Sequence, residues 1–182
     1  MNENKMDPIE LARDFYYLSQ FGFTKAPVTV GGGEEKLRRF AGALCNISGA
    51  DGEVSEEESA FIMGYLASKG YPQSILDDVP GMCRAAETKS SDDVFMETKE
   101  LLAFGSLKKS ARQIIYDGIR AAARDGLDDK EKMAINGIAQ ELGVEEAELS
   151  KIYDLVQQEN DLREERIKLL FPHGHPCLPG HE

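Results

Sequence analysis

Apolar residues recur along this chain at helical spacing, and the spacing resolves into a series of helices. Asp7-Pro8-Ile9-Glu10 has the residue types of a helix start: an acceptor at the cap, proline in the first turn and a glutamate able to reach back. Leu11, Phe15, Leu18 and Phe21 then share one face, and Gly22 ends the element. Residues 22–33 read as a loop, because Pro27 and Gly31-Gly32-Gly33 break the periodicity and Val28-Thr29-Val30 is too short to count as a strand. The triple glycine follows no strand and lacks a Gly-Lys-Ser/Thr ending. It reads as a hinge rather than a phosphate-binding loop.

From Glu34 the pattern is helical almost throughout. Leu37, Phe40, Ala41 and Leu44 form an i, i+3, i+4, i+7 stripe. The chain breaks at Gly49-Ala50-Asp51-Gly52, and Ser55 opens a helix with Phe61, Ile62, Tyr65 and Leu66 on its inner face and Gly70 at its end. Residues 72–88 give one or two short helices broken near Pro80-Gly81, and Ser91 caps a helix running through Leu102 and Phe104. Residues 107–123 carry Ile114, Ile115, Gly118, Ile119 and Ala122 on one side. Asp128 starts the next helix, ended by Gly143. A last one from Glu145 carries Leu149, Ile152, Tyr153 and Val156 and can continue through the charged run Glu159–Lys168. No credible sheet remains. The class is all-α, a compact bundle of about seven or eight helices joined by short connections. Three regions follow: an N-terminal helix and glycine-rich hinge (1–33), a helical domain (34–158), and a charged extension with a His- and Cys-containing tail (159–182).

The bundle is internally repeated. An offset of 74 places Asp51-Gly52 on Asp125-Gly126 and aligns the preceding stripes, Phe40 with Ile114 and Ala41 with Ile115. After the turn the offset becomes 73, so that Val54 meets Leu127, Ser55 meets Asp128, Glu58 meets Glu131 and Gly70 meets Gly143. Ser55 with Glu58, and Asp128 with Glu131, have capping-box spacing, with Val54 and Leu127 placed to staple the helix start. Gly52 and Gly126 supply a residue free to reverse the chain.

Punctuation does not account for Asp51 and Asp125. Each follows a helix C-terminus, where the macrodipole disfavours an anion by roughly 0.3–1 kcal/mol. An Asx-turn is one compensation. Ligation of a cation is another, drawing on Asp51, Glu53, Glu58, Asp125, Asp128 and Glu131. Oxygen-only donors of this kind suit Ca²⁺, Mg²⁺ or Mn²⁺. Neither turn is an EF-hand loop, since Gly52 is misplaced and no bidentate acid follows at position twelve. Two turns brought together by a pseudo-twofold would share the ion.

With these residues, the sequence resembles the tellurite-resistance protein B (TerB-like) family. The segments that carry the resemblance are Gly49-Ala50-Asp51-Gly52-Glu53-Val54-Ser55-Glu56-Glu57-Glu58 and Arg124-Asp125-Gly126-Leu127-Asp128-Asp129-Lys130-Glu131, the latter followed by an apolar helix and Leu142-Gly143-Val144. The resemblance covers about residues 34–157. It implies two pseudo-repeated helical halves, a shared acidic metal site to which Asp51, Glu58, Asp125 and Glu131 correspond, and a non-catalytic role in stress-response or membrane-associated assemblies. The N-terminal extension, glycine loop and C-terminal tail depart from the family's pattern.

The tail holds all three histidines. His173, His175, Cys177 and His181 offer four soft or borderline donors for Zn²⁺, Cu or Ni²⁺, although the spacing matches no standard zinc finger. Cys45 and Cys83 lie in apolar helical contexts and read as core residues. Three cysteines make a poor disulfide framework, and the N-terminus carries no signal-peptide pattern, so a reducing cytoplasm is expected.

Composition enters last and mainly excludes. With 33 acidic against 21 basic side chains the net charge is −12, which argues against nucleic-acid binding. No apolar run approaches the roughly 20 residues that span a bilayer, which leaves protein partners and peripheral membrane association. No nucleophile motif, phosphate loop or organic-cofactor fingerprint is present, and no histidine falls in the helical domain. The sequence therefore points to a non-catalytic helical domain that binds a divalent cation at an acidic corner. The alternatives are soft-metal handling by the tail and a structural adaptor.

Overall fold

A computed structural model describes residues 8–23, 33–102, 110–124 and 126–173. Among these residues the chain forms nine helices and no strand: α1 (Pro8–Phe21), α2 (Gly33–Ser48), α3 (Glu56–Ser68), α4 (Gln73–Leu76), α5 (Val79–Glu87), α6 (Ser91–Leu102), α7 (Ala111–Ala122), α8 (Asp129–Leu142) and α9 (Glu146–Leu170). The all-α reading holds.

Two apolar centres are built around α2 and α7. On one side Ala43 and Ile47 of α2 meet Ile114, Ile115 and Ile119 of α7, Ile135 and Ile138 of α8, and Leu149 and Val156 of α9. On the other, Ala41, Leu44 and Cys45 of α2 meet Ile62, Tyr65 and Leu66 of α3, then Ile75, Val79 and Cys83 beyond. Helix α2 is buried almost all round over its last two turns, because it serves both centres. A third, small cluster of Ala50, Val94 and Ala134 seats α6 beneath the first Asp-Gly corner and against α8.

Three local expectations are corrected. The break in 72–88 falls at Asp77-Asp78. Pro80 lies in the first turn of α5, where its missing N–H has no intrahelical partner to lose. The cap of α6 is Ser90 rather than Ser91: its hydroxyl accepts from the Asp93 amide at 3.2 Å, which a residue already inside the helix could not do. On α1, the stripe Leu11, Phe15, Leu18 and Phe21 faces solvent. The residues that dock α1 are instead Tyr16 and Tyr17, set against Tyr65 of α3 and Lys69 at its C-cap. Phe104 and residues 107–109 of the expected α7 start lie outside the described residues. The boundary placed at 158/159 falls within α9, which is continuous across it.

Candidate functional site

Both corners turn on a glycine of positive φ. After α2, the Gly52 amide donates to the Gly49 carbonyl (3.1 Å) and Gly52 takes a φ of 104°. After α7, Gly126 takes a φ of 127°. An L side chain would be strained at either angle, so glycine is required for the reversal.

Each corner then feeds a capping box. The Ser55 hydroxyl accepts from the Glu58 amide (3.2 Å), while the Ser55 amide donates to Glu58 Oε2 (2.8 Å). In the second half the Asp128 amide donates to Glu131 Oε2 (2.8 Å), and Asp128 Oδ1 accepts from the Lys130 amide (2.7 Å). Val54 packs on one apolar centre and Leu127 on the other, as a hydrophobic staple requires. Glu58 and Glu131 are both about 3 % exposed. Their carboxylates tie down helix starts from within the fold. Substituting Ser55→Ala removes the hydroxyl that accepts the Glu58 amide and is expected to lower unfolding free energy by about 1 kcal/mol, read from urea denaturation with an unchanged m-value. A loss within error of zero would show that α3 does not depend on its cap.

Asp51 makes the Asx-turn: its Oδ1 accepts from the Glu53 amide at 3.0 Å. The first corner meets the start of α8. Lys130, in the first turn of α8, reaches across 79 residues of sequence to donate from Nζ to the Asp51 carbonyl at 3.2 Å. The pseudo-repeat therefore does bring the first corner to the start of the second capped helix. It also delivers an ammonium to the electronegative end of α2, where the dipole favours a cation.

The donor set can be tested against a metal. Asp51 spends one carboxylate oxygen on the backbone, Asp128 accepts from the backbone amides of both Lys130 and Glu131, and Glu53 is exposed. All are hard oxygens. Among the described residues, however, no three His, Cys, Asp or Glu side chains converge as a ligand cluster. Asp125, the second turn's aspartate, lies outside the described residues, as do His175, Cys177 and His181 of the tail. His173 is exposed.

A polar centre at the junction of α1, α3 and α7 had no counterpart in the sequence reading. Asp117 of α7 is 2 % exposed and accepts a hydrogen bond from the Tyr65 hydroxyl. Lys69 Nζ lies 4.9–5.1 Å from the ring centres of Tyr16, Tyr17 and Tyr65, a three-walled aromatic cage. Arg120 stacks over Phe61 and Tyr116. Burial pushes the Asp117 carboxyl up to about 6, opposed by the positive charges of Lys69 and Arg120 and by the Tyr65 bond. Burial also lowers the Lys69 ammonium from its ordinary range. The available signal was an acid set inside the otherwise apolar run Ile114-Ile115-Tyr116-Asp117-Gly118-Ile119. The charged run is also less uniform than expected: Glu159 accepts from the Tyr116 hydroxyl at 2.7 and 2.9 Å and lies 3.7 Å from Arg120.

No helix among the described residues is long and apolar enough to cross a membrane. Comparison with curated protein sequences returns no match. Among solved structures, the chain is similar to a tellurite resistance protein from Nostoc punctiforme PCC 73102. The TM-score is 0.66 and the identity 25 %, over 94 % of this chain and 99 % of that one. The family profile described as tellurite resistance protein TerB matches residues 39–154, which takes in both capped corners and most of both apolar centres. The chain belongs to the TerB family.

Proposed function

We propose that this TerB domain is a non-catalytic module that binds one hard divalent cation between its paired Asp-Gly corners and works within a stress-response or scaffold assembly. The observation that supports this reading is the approach of the first corner to the start of α8, the 3.2 Å contact of Lys130 Nζ with the Asp51 carbonyl. It brings Asp51 to the start of α8, which Asp128 caps, in a chain whose net charge of −12 favours cation uptake. Ca²⁺ fits best, because it accepts six to eight oxygens in loose geometry and can combine carboxylates with carbonyls and water. Asp51, Glu53, Asp125 and Asp128 are the proposed ligands. Glu58 and Glu131, each with one oxygen committed to a cap, hold the frame.

Lys130 gives the proposal an internal control, because ammonium and metal would compete for one place. Calorimetric titration of the metal-stripped, untagged protein with Ca²⁺ should show about one ion per chain. Asp51→Asn should weaken binding at least tenfold. Lys130→Met should strengthen it by about threefold, the effect of removing one nearby charge in a partly solvated site. Absence of binding heat, or binding indifferent to Asp51→Asn, rejects the corner as a metal site.

A further inference from the structure

Two core thiols touch one another. Cys45 of α2 and Cys83 of α5, 38 residues apart in sequence, place their Sγ atoms 3.2 Å apart in a thiol–thiol hydrogen bond. Both are buried and free. Small residues draw the helices together at this point. Gly49 follows Cys45 by one turn, and a Cβ built on it would lie 2.7 Å from Ala86 Cβ, itself about one turn beyond Cys83. The seam is continuous with the first corner: a Cβ built on Gly52 would lie 4.0 Å from the Glu87 carbonyl oxygen, and Lys89 donates to Asn46 Oδ1 at 3.1 Å.

The two sulfurs are not equivalent. Hydrogen bonding with Cys45 and with Ser59 of α3 holds the Cys83 thiol below its ordinary range. The same contact with Cys83, together with burial, pushes the Cys45 thiol up. In the singly ionised pair, Cys83 carries the charge and Cys45 keeps the proton. Such a pair has a nucleophile and a resolving thiol already in place.

We propose that Cys45 and Cys83 form a peroxide-oxidisable dithiol that closes to an intramolecular disulfide and locks α5 onto the end of α2 beneath the Asp51 corner. The Cys83 thiolate attacks one oxygen of hydrogen peroxide, the O–O bond breaks, and hydroxide leaves, making Cys83 a sulfenic acid. The Cys45 sulfur then attacks Cys83 Sγ. The S–O bond breaks, and the departing hydroxide takes the Cys45 proton as water. Two thiols and one peroxide yield one disulfide and two waters. Because both thiols are buried, the reaction proceeds through local opening of the seam and is slower than at an exposed thiolate.

The test uses the full chain with Cys177→Ser, which leaves only these two cysteines. The protein is exposed to hydrogen peroxide, quenched, denatured, and its thiols counted alongside intact mass and non-reducing peptide maps. The expected result is a fall from two thiols to none, a loss of two hydrogens, a monomer throughout and a cross-linked peptide joining Cys45 to Cys83. Thioredoxin or dithiothreitol should restore both thiols. The oxidised form should melt about 5–10 °C higher, as expected for a cross-link that constrains the unfolded chain. Thiols that remain free, take up oxygen without linking, or link between chains overturn the proposal.

Discussion

Gly49→Ala is expected to destabilise the protein by about 2 kcal/mol, the reverse of what alanine does at an unstrained glycine. Gly49 does not have a positive φ, so alanine meets no backbone penalty there. By itself it would gain about 0.4–1 kcal/mol from the reduced freedom of the unfolded chain. The new methyl, however, would sit 2.7 Å from Ala86 Cβ, 3.2 Å from the Ala86 carbonyl carbon and 3.3 Å from the Cys45 carbonyl oxygen. None of these atoms is the end of a side chain that can swing away, and Ala86 is fully buried. The α2–α5 seam would have to open, and overpacking of this kind costs about 1–3 kcal/mol. The steric term therefore wins. Ala86→Gly alone costs about 1 kcal/mol as a helix-interior glycine. The double variant should lose less than the sum of the two singles, because one methyl replaces the other in the same space. Urea denaturation of the four proteins checks this. Strict additivity would show that the methyls do not meet.

The same seam shows where sequence reasoning stopped. The capped corners were legible because every part of them is local. Ser55 and Glu58 are three residues apart, as are Asp128 and Glu131, and the Asx-turn of Asp51 spans two. The repeat supplied a second copy of each signal. Pairings that depend on tertiary placement left no such trace. Cys45 and Cys83 were legible as core residues but not as a pair, since nothing in their 38-residue separation says that α2 meets α5. Lys130 was read only as part of a motif. Its contact with the Asp51 carbonyl spans 79 residues, and it supplies from the other half the cation that the C-terminal end of α2 favours. On α1 the hydrophobic pattern pointed to the wrong face. Leu11, Phe15 and Leu18 make the stripe, yet the helix is held through Tyr16 and Tyr17 on either side of Lys69, because an aromatic cage around an ammonium is not an apolar periodicity. The metal reading rests on oxygen donors proposed from the sequence, and among the described residues no three such side chains converge.

The buried acid of α7 gives the remaining large effect, and its sign runs opposite to most carboxylates. Asp117 faces Tyr65 of α3, Lys69 at the C-cap of α3, Tyr16 and Tyr17 of α1, Tyr71 beyond α3, Arg120 on its own helix and Glu159 of α9. Burial outweighs the two positive charges, so its folded pKa is raised to about 6 from an ordinary 3.8. Between those values the folded chain binds more protons than the unfolded chain, and stability therefore falls as pH rises. The contribution is fully present below pH 3.8 and is lost as pH passes through about 6, a swing of about 3 kcal/mol. Carboxylates such as Glu148, held low by the Arg112 guanidinium, titrate in the opposite sense, so the total curve hides the effect. Asp117→Asn exposes it: the variant keeps an oxygen for the Tyr65 hydroxyl but cannot ionise. The stability of the parent protein minus that of the variant should be greatest near pH 4, fall steadily to pH 7 and then level. A difference that stays flat across that range, or a carboxyl carbon of Asp117 that titrates by NMR near 4, would mean that Lys69 and Arg120 together compensate the burial of the charge in full.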